Sequence, residues 1–212
     1  SGGLVGSEMC IRDSGGIAFE TNGTNERLRI TSGGNVVIGQ TTAGYESKLT
    51  TGAGSGSEAI TILSGTSAGG SLYFADGTAA DNTRYRGWVQ YIHSSDYITL
   101  GTAATEKLRI DSSGHMGLGV VPNANWPTNG DFKAFQLGTG ACVFGRGSGD
   151  EDRGGIAVNY YHTGSAEKYL ANGNACGVFL NDGDIDFFTA GANSSGAGAA
   201  MSKTTAVRID TN

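Results

Sequence analysis

Apolar residues along this chain alternate with polar ones in short, bounded runs. Leu28 and Ile30 flank Arg29, Leu108 and Ile110 flank Arg109, and Val207 and Ile209 flank Arg208. A period of two puts each apolar pair on one face of a strand and the arginine on the other. Spacings of three and four are rare, so the pattern predicts strands and no helix. Residues 26–39, ERLRITSGGNVVIG, return as 106–119, EKLRIDSSGHMGLG, and their opening returns as 206–210, AVRID. Each full copy predicts a β-hairpin. A first run is followed by a polar turn whose residues tolerate positive φ, then by a second run, Val36 and Ile38 or Met116 and Leu118.

Further strands are predicted between the hairpins. Residues 16–20 and 26–31 are joined by Thr-Asn-Gly-Thr, a type I′ turn signal. The Thr/Gly/Ser-rich span 40–57 reads as a loop with a short strand at 48–51. Strands follow at 58–63 and 71–75, and 85–93 pairs through Ser94-Ser95-Asp96 with 97–100. After the central hairpin come 132–137, 142–144, 154–162, 168–170, 177–180 and 185–189, with loops at 145–155 and 191–200. GGIAVNYYH at 154–162 parallels GWVQYIH at 87–93. Leu28 to Leu108 is 80 residues and Arg109 to Arg208 is 99, so the internal repeat is 80 to 100 residues long. The expected organisation is the end of a first repeat at 15–39, a second repeat at 40–119 and a third at 120–212. The fold class is all-β, built of repeated β-hairpin and β-sandwich-like modules.

The hairpin copies resemble the RLRIDSSGNVGIG-type motifs repeated in phage tail fibre proteins. Residues 85–100, YRGWVQYIHSSDYITL, are similar to the strand–turn–strand segment that often precedes that motif. The family pattern continues with Thr-Thr-Ser-Pro, where this chain has Gln40-Thr41-Thr42-Ala43 and Val120-Val121-Pro122. The resemblance implies an elongated homotrimer, a virion structural protein of the tail fibre that contributes to host attachment. It also implies other tail fibre or baseplate proteins as partners, with a host cell-surface glycan or protein as receptor, and no enzymatic activity. Two other classes stay open: a bacterial surface adhesin built of β-repeats, and a fragment of a glycan-cleaving tailspike. Residues 4–14, LVGSEMCIRDS, resemble the translation of a transposase adapter used in DNA library preparation. Residues 1–14 are therefore expected to be adapter-derived, and the chain a fragment of a longer gene.

Composition narrows the classes. Glycine is 37 of 212 residues and proline only 2, without the one-in-three glycine period of collagen. Leu, Ile, Val and Phe total 41 residues, about 19 per cent, a thin supply for one monomeric core. Isolated hairpins are marginal and open edges aggregate, so burial between neighbours is expected. A net charge of -6 without a Lys/Arg cluster argues against nucleic acid as a partner. No apolar run approaches the roughly 20 residues of a membrane span, so no membrane insertion is expected.

Candidate chemistry is sparse. His93 and His162 close Tyr-Ile-His and Tyr-Tyr-His runs and read as strand-end residues, with a shared metal around an axis as the alternative. His115 reads as a turn residue. Asn181-Asp182-Gly183-Asp184-Ile185-Asp186 offers calcium-type oxygens, or a plain Asp-Gly turn. Asp150-Glu151-Asp152 reads as a solvated loop rather than a glycosidase pair. No Gly-rich stretch completes a phosphate-binding motif. Asn22 and Asn193 open glycosylation sequons without supporting context. Trp88, Tyr91, Tyr97, Trp126, Tyr160 and Tyr161 are candidates for stacking on sugars, each weighed against plain packing. Setting Cys10 aside with the adapter leaves Cys142 and Cys176, read as small buried hydrophobes with a bridge between them left open. No catalytic residue, metal ligand or cofactor is assigned.

Overall fold

The computed structural model describes residues 11–12, 16–21, 25–39, 48–52, 56–57, 59–128, 132–146 and 152–210. The chain forms two compact units, Ser1–Ile62 and Leu63–Asn212, divided within the span 40–119. Among the described residues there is no α-helix; the one helical element is a short 3-10 turn at Asn82–Tyr85.

The first unit holds a five-stranded sheet of β1 (Ile11–Arg12), β2 (Gly16–Thr21), β3 (Asn25–Thr31), β4 (Val36–Ile38) and β5 (Leu49–Thr51), in that order. All pairs are antiparallel except β4 with β5. Of the expected adapter segment, only Ile11–Arg12 belongs to the described residues, where it pairs with the start of β2. The Asn-Gly turn at 22–24 lies outside the described residues.

The second unit is built on an eleven-stranded sheet. In chain order its strands are β6 (Gly69–Phe74), β7 (Gly87–Ile92), β8 (Tyr97–Thr102), β9 (Thr105–Ile110), β10 (Met116–Leu118), β11 (Phe132–Leu137), β12 (Ala141–Arg146) and β13 (Arg153–Val158). β14 (Tyr161–His162) and β15 (Glu167–Lys168) form a separate small hairpin. β16 (Gly173–Asn181), β17 (Asp184–Asn193) and β18 (Lys203–Ile209) complete the sheet, with β6 and β18 at its edges. The sheet is a near-sequential meander, antiparallel except for β10 with β11.

The repeat read from the sequence is a repeat of register. Leu28 pairs with Ile38 and Ile30 with Val36; Leu108 pairs with Leu118 and Ile110 with Met116. Each hairpin is then followed by a strand parallel to its second arm. The turns match as well. Gly34 and Gly114 take φ of 74° and 80°, the left-handed position that closes a three-residue hairpin loop. Thr31 Oγ1 accepts from Asn35 N, and Asp111 Oδ1 accepts from Ser113 N and His115 N.

A β-bulge sits at the same place in all three copies. The register shifts opposite Phe19/Glu20, Leu100/Gly101 and Phe187/Phe188, leaving Arg27, Lys107 and Ala206 as the extra residues. Residues three apart in a regular strand lie on opposite faces. The extra residue brings them to one face. Glu26 and Glu106 thereby reach Arg29 and Arg109, the latter through Nε at 2.8 Å and Nη2 at 2.7 Å.

The core of the second unit lies on one face of β11–β13, β16 and β17. Phe132, Ala134, Cys142, Phe144, Ala157, Phe179 and Phe188 pack there against Trp126, Tyr160, Tyr161 and Leu170. Phe144, Gly155 and Phe179 are cross-strand neighbours. A Cβ on Gly155 would stand 3.0 Å from both rings and 2.5 Å from Val178 O, so the glycine leaves the space the two edge-to-face rings fill. Part of the glycine content is thus a packing requirement within strands.

Two expected strands differ. Residues 59–63 form no strand: Leu63 is 92 per cent exposed, and no strand among the described residues pairs with this Gly/Ser/Thr-flanked run. The run 154–162 breaks at Asn159, which takes φ of 55°. Its Oδ1 accepts from Ala171 N at 2.7 Å, and its Nδ2 donates to Gly173 O and Asn174 O. This turns Tyr160 and Tyr161 off the sheet line and over its inner face, so 154–162 is no replay of 87–93.

Candidate functional site

Two features of the second unit offer themselves for interaction. The first is the outer face of the long sheet. Cross-strand partners share a face, so the registers trace rows across it. One row runs Leu72, Val89, Leu100, Leu108, Leu118 and Leu137, then Ala141 and Val158. The next runs Tyr91, Ile98, Ile110, Met116 and Phe135, and continues through Val143, Ile156, Val178, Phe187 and Val207. Ten neighbouring strands thus carry an apolar residue in one line. The line is open: Ile156 is 61 per cent exposed and Val207 55 per cent. Both hairpin copies contribute the same positions. In the first unit Ile17, Ile30, Val36 and Leu49 stand in the register of Ile98, Ile110, Met116 and Phe135. A contiguous apolar patch of this extent marks an interaction surface in a water-soluble protein.

The second feature is a cavity of about 660 Å³ on the inner face, between the sheet and the β14–β15 hairpin. Phe144, Tyr160 and Phe179 form its aromatic wall. Two ion pairs stand in its lining, Lys203 with Glu167 and Arg208 with Asp186. The Lys203 ammonium also lies 4.0 Å from the centre of the Phe179 ring, a cation–π contact. The Arg208 hydrogen bonds hold the Asp186 carboxyl below the usual carboxylate range. Burial pushes the Tyr160 hydroxyl above its ordinary range.

The candidate residues are distributed as follows. Trp126, Tyr160 and Tyr161 are core residues, so packing accounts for them; the Trp126 indole N–H is buried without a hydrogen-bond partner among the described residues. Trp88 is half-buried, bonded through Nε1 to Thr99 Oγ1 at 3.0 Å. Tyr97 lies under the Arg109 guanidinium at 4.0 Å, and Tyr91 is exposed on the outer face, bonded to Asp96. Asn181 pairs with Asp184 around Asp182 and Gly183, both at positive φ: the acidic cluster is a tight hairpin turn. Asp150 and Glu151 lie outside the described residues. Both Asn193 amide protons are engaged, by Ala171 O and Gly196 O. Asn22 lies outside the described residues.

The histidines separate. His93 is the first turn residue after β7, its ring edge-on to Tyr91. His162 packs against the Phe132 ring and lines the cavity. His115 is more than a turn residue: it is fully buried, accepting from Ala134 N at Nδ1 and bonding Pro127 O through Nε2, each at 3.2 Å. Those partners fix the neutral tautomer with the proton on Nε2. Burial lowers its pKa, and burial lowers that of His162 likewise. Asn35 at the equivalent turn position is only half-buried, so the replacement by histidine was the available signal.

The cysteines also separate. Cys142 is buried on the inner face, its thiol pushed up to about 12 by burial. Cys176 is exposed, which corrects the expectation of two buried hydrophobes. It pairs with Val158 on the outer face, so the two are not bridged. Among the described residues no group of three His, Cys, Asp or Glu converges as for a metal, and no helix is long and apolar enough to cross a membrane. Comparison with protein-family models, with curated proteins and with solved structures finds no match.

Proposed function

We propose that this chain is a non-enzymatic structural segment of a phage tail fibre, located in the virion and contributing to attachment at the host surface. The observation that carries this reading is the outer apolar face. It runs across motif and non-motif strands alike in one register, as needed where identical copies pack side by side. In this reading three copies bury that face against one another. The shaft so formed joins other tail fibre or baseplate proteins and leads to a host glycan or protein receptor. Over β11–β13, β16 and β17 the inner face carries its own core. The resemblance of residues 26–39 and 106–119 to fibre motifs points the same way, and the threefold bulge extends it to β18.

Sequencing the parent locus outward from this coding region tests the assignment. Flanking virion genes and further copies of the hairpin are expected. A secretion signal and surface anchor bracketing the repeats would make the protein a cell-surface adhesin and overturn the assignment.

A further inference from the structure

We propose that the free edge of β18 captures an extended peptide segment bearing the pattern of the hairpin's second arm. The bulge at Ala206 and the arginine at 208 make β18 the third copy of the strand that opens each hairpin. In the two full copies that strand has neighbours on both sides. β3 lies between β2 and β4, and β9 between β8 and β10. β17 takes the place of β2 and β8 beside β18, but the other side of β18 is a sheet edge among the described residues. The side chains that a second arm would meet are open there. Leu28, Ile30 and Leu108 are half-buried opposite Ile38, Val36 and Leu118. Their counterparts Val207 and Ile209 are each 55 per cent exposed.

The backbone points the same way. In each full copy the carbonyl of the bulged residue accepts from a glycine just after the second arm: Arg27 O from Gly39 N at 3.0 Å, Lys107 O from Gly119 N at 2.8 Å. Ala206 is the bulged residue of β18. Native edges that resist pairing carry proline or charges that stand across them. β18 has no proline, and both its cations are held on the inner face, Lys203 by Glu167 and Arg208 by Asp186. The edge is therefore unguarded, and the occupants of the two equivalent edges define what fits it. These are Val36-Val37-Ile38 and Met116-Gly117-Leu118, with apolar residues two apart. An added strand gains affinity from the ladder and specificity from its alternate side chains. The repeat fixes the register: Ile209 opposite the position of Met116, Val207 opposite that of Leu118, and Ala206 O accepting from that of Gly119 N.

The test is fluorescence anisotropy of a labelled synthetic peptide, residues 112–121 of this chain (SSGHMGLGVV), titrated with the full chain. Saturable binding of one peptide per chain is expected. A peptide methylated on the nitrogen of Gly119 loses one donor and is expected to bind about tenfold more weakly, the worth of one hydrogen bond. Exchanging Gly117 with Leu118 in the peptide puts its two apolar side chains on opposite faces and is expected to abolish binding. On the chain, Val207→Glu with Ile209→Glu is expected to abolish binding too. The two altered peptides leave the protein untouched, so their result is independent of any effect on its folding. No binding, equal binding of the exchanged peptide, or binding that survives the double variant would overturn the proposal. The edge rests on the internal repeat and not on the fibre assignment. A chain that captures the peptide yet belongs to a surface adhesin would sink that assignment and leave the edge site standing. A fibre segment that ignores the peptide would do the reverse.

Discussion

Arg208 and Asp186 face each other across the last strand pair, joined Nε to Oδ1 at 2.6 Å and Nη2 to Oδ2 at 2.7 Å. The equivalent arginines of the two full hairpins take their carboxylate from three residues back, Glu26 or Glu106. In the third copy that position is Thr205, and the neighbouring strand supplies the carboxylate instead. The arginine's need for a planar partner is kept while its source changes. Asp186 has its pKa depressed in the fold, so the stability it lends is complete above the unfolded value near 4. That stability drains as pH falls through the lower folded value. Urea midpoints of wild type are expected to fall below about pH 4, with this component missing in Asp186→Asn.

A separate window belongs to the histidines. His115 and His162 have pKa values lowered by burial, His115 despite Asp111 and His162 despite Glu167. The unfolded chain binds protons near pH 6.5 that the fold refuses. Stability is therefore complete above about pH 6.5 and declines on acidification toward pH 5. His115→Asn restores the residue of the first hairpin but strands Ala134 N and Pro127 O. A loss of about 2–4 kcal/mol is expected, with a shallower slope between pH 7 and 5.

The β8–β9 turn places Ala103 and Ala104 at φ of 52° and 56°, a two-residue geometry that favours Asn-Gly. Ala103→Asn with Ala104→Gly is expected to raise stability by about 1 kcal/mol, read as a higher urea midpoint at unchanged slope.

Thiol labelling distinguishes the two faces of the sheet. Cys176 is expected to react readily with a maleimide in the dissociated chain, and Cys142, buried with its thiol at about 12, only on unfolding. Equal labelling of both in the folded chain would contradict the placement of the core.

Strand existence was legible because alternation is local: the three arginine-centred runs gave their own strands and, through identical spacing, their common register. The inner core was less legible. Tyr160 and Tyr161 follow a strand-like run, and only the Asn159 side chain, by capping three backbone groups, turns them inward. His115 was hidden for a similar reason, since its partners Pro127 and Ala134 are 12 and 19 residues away. The cavity was not legible at all. It depends on β14–β15 closing over β17 and β18, a contact that no local pattern encodes.

In the proposed assembly the outer apolar face is buried between copies of this chain. Light scattering coupled to size-exclusion chromatography measures it directly. The mass of three 21.6 kDa chains is expected, reduced toward one chain by Ile156→Lys with Val143→Glu. A soluble monomer at micromolar concentration, with Cys176 fully open to labelling, would contradict it.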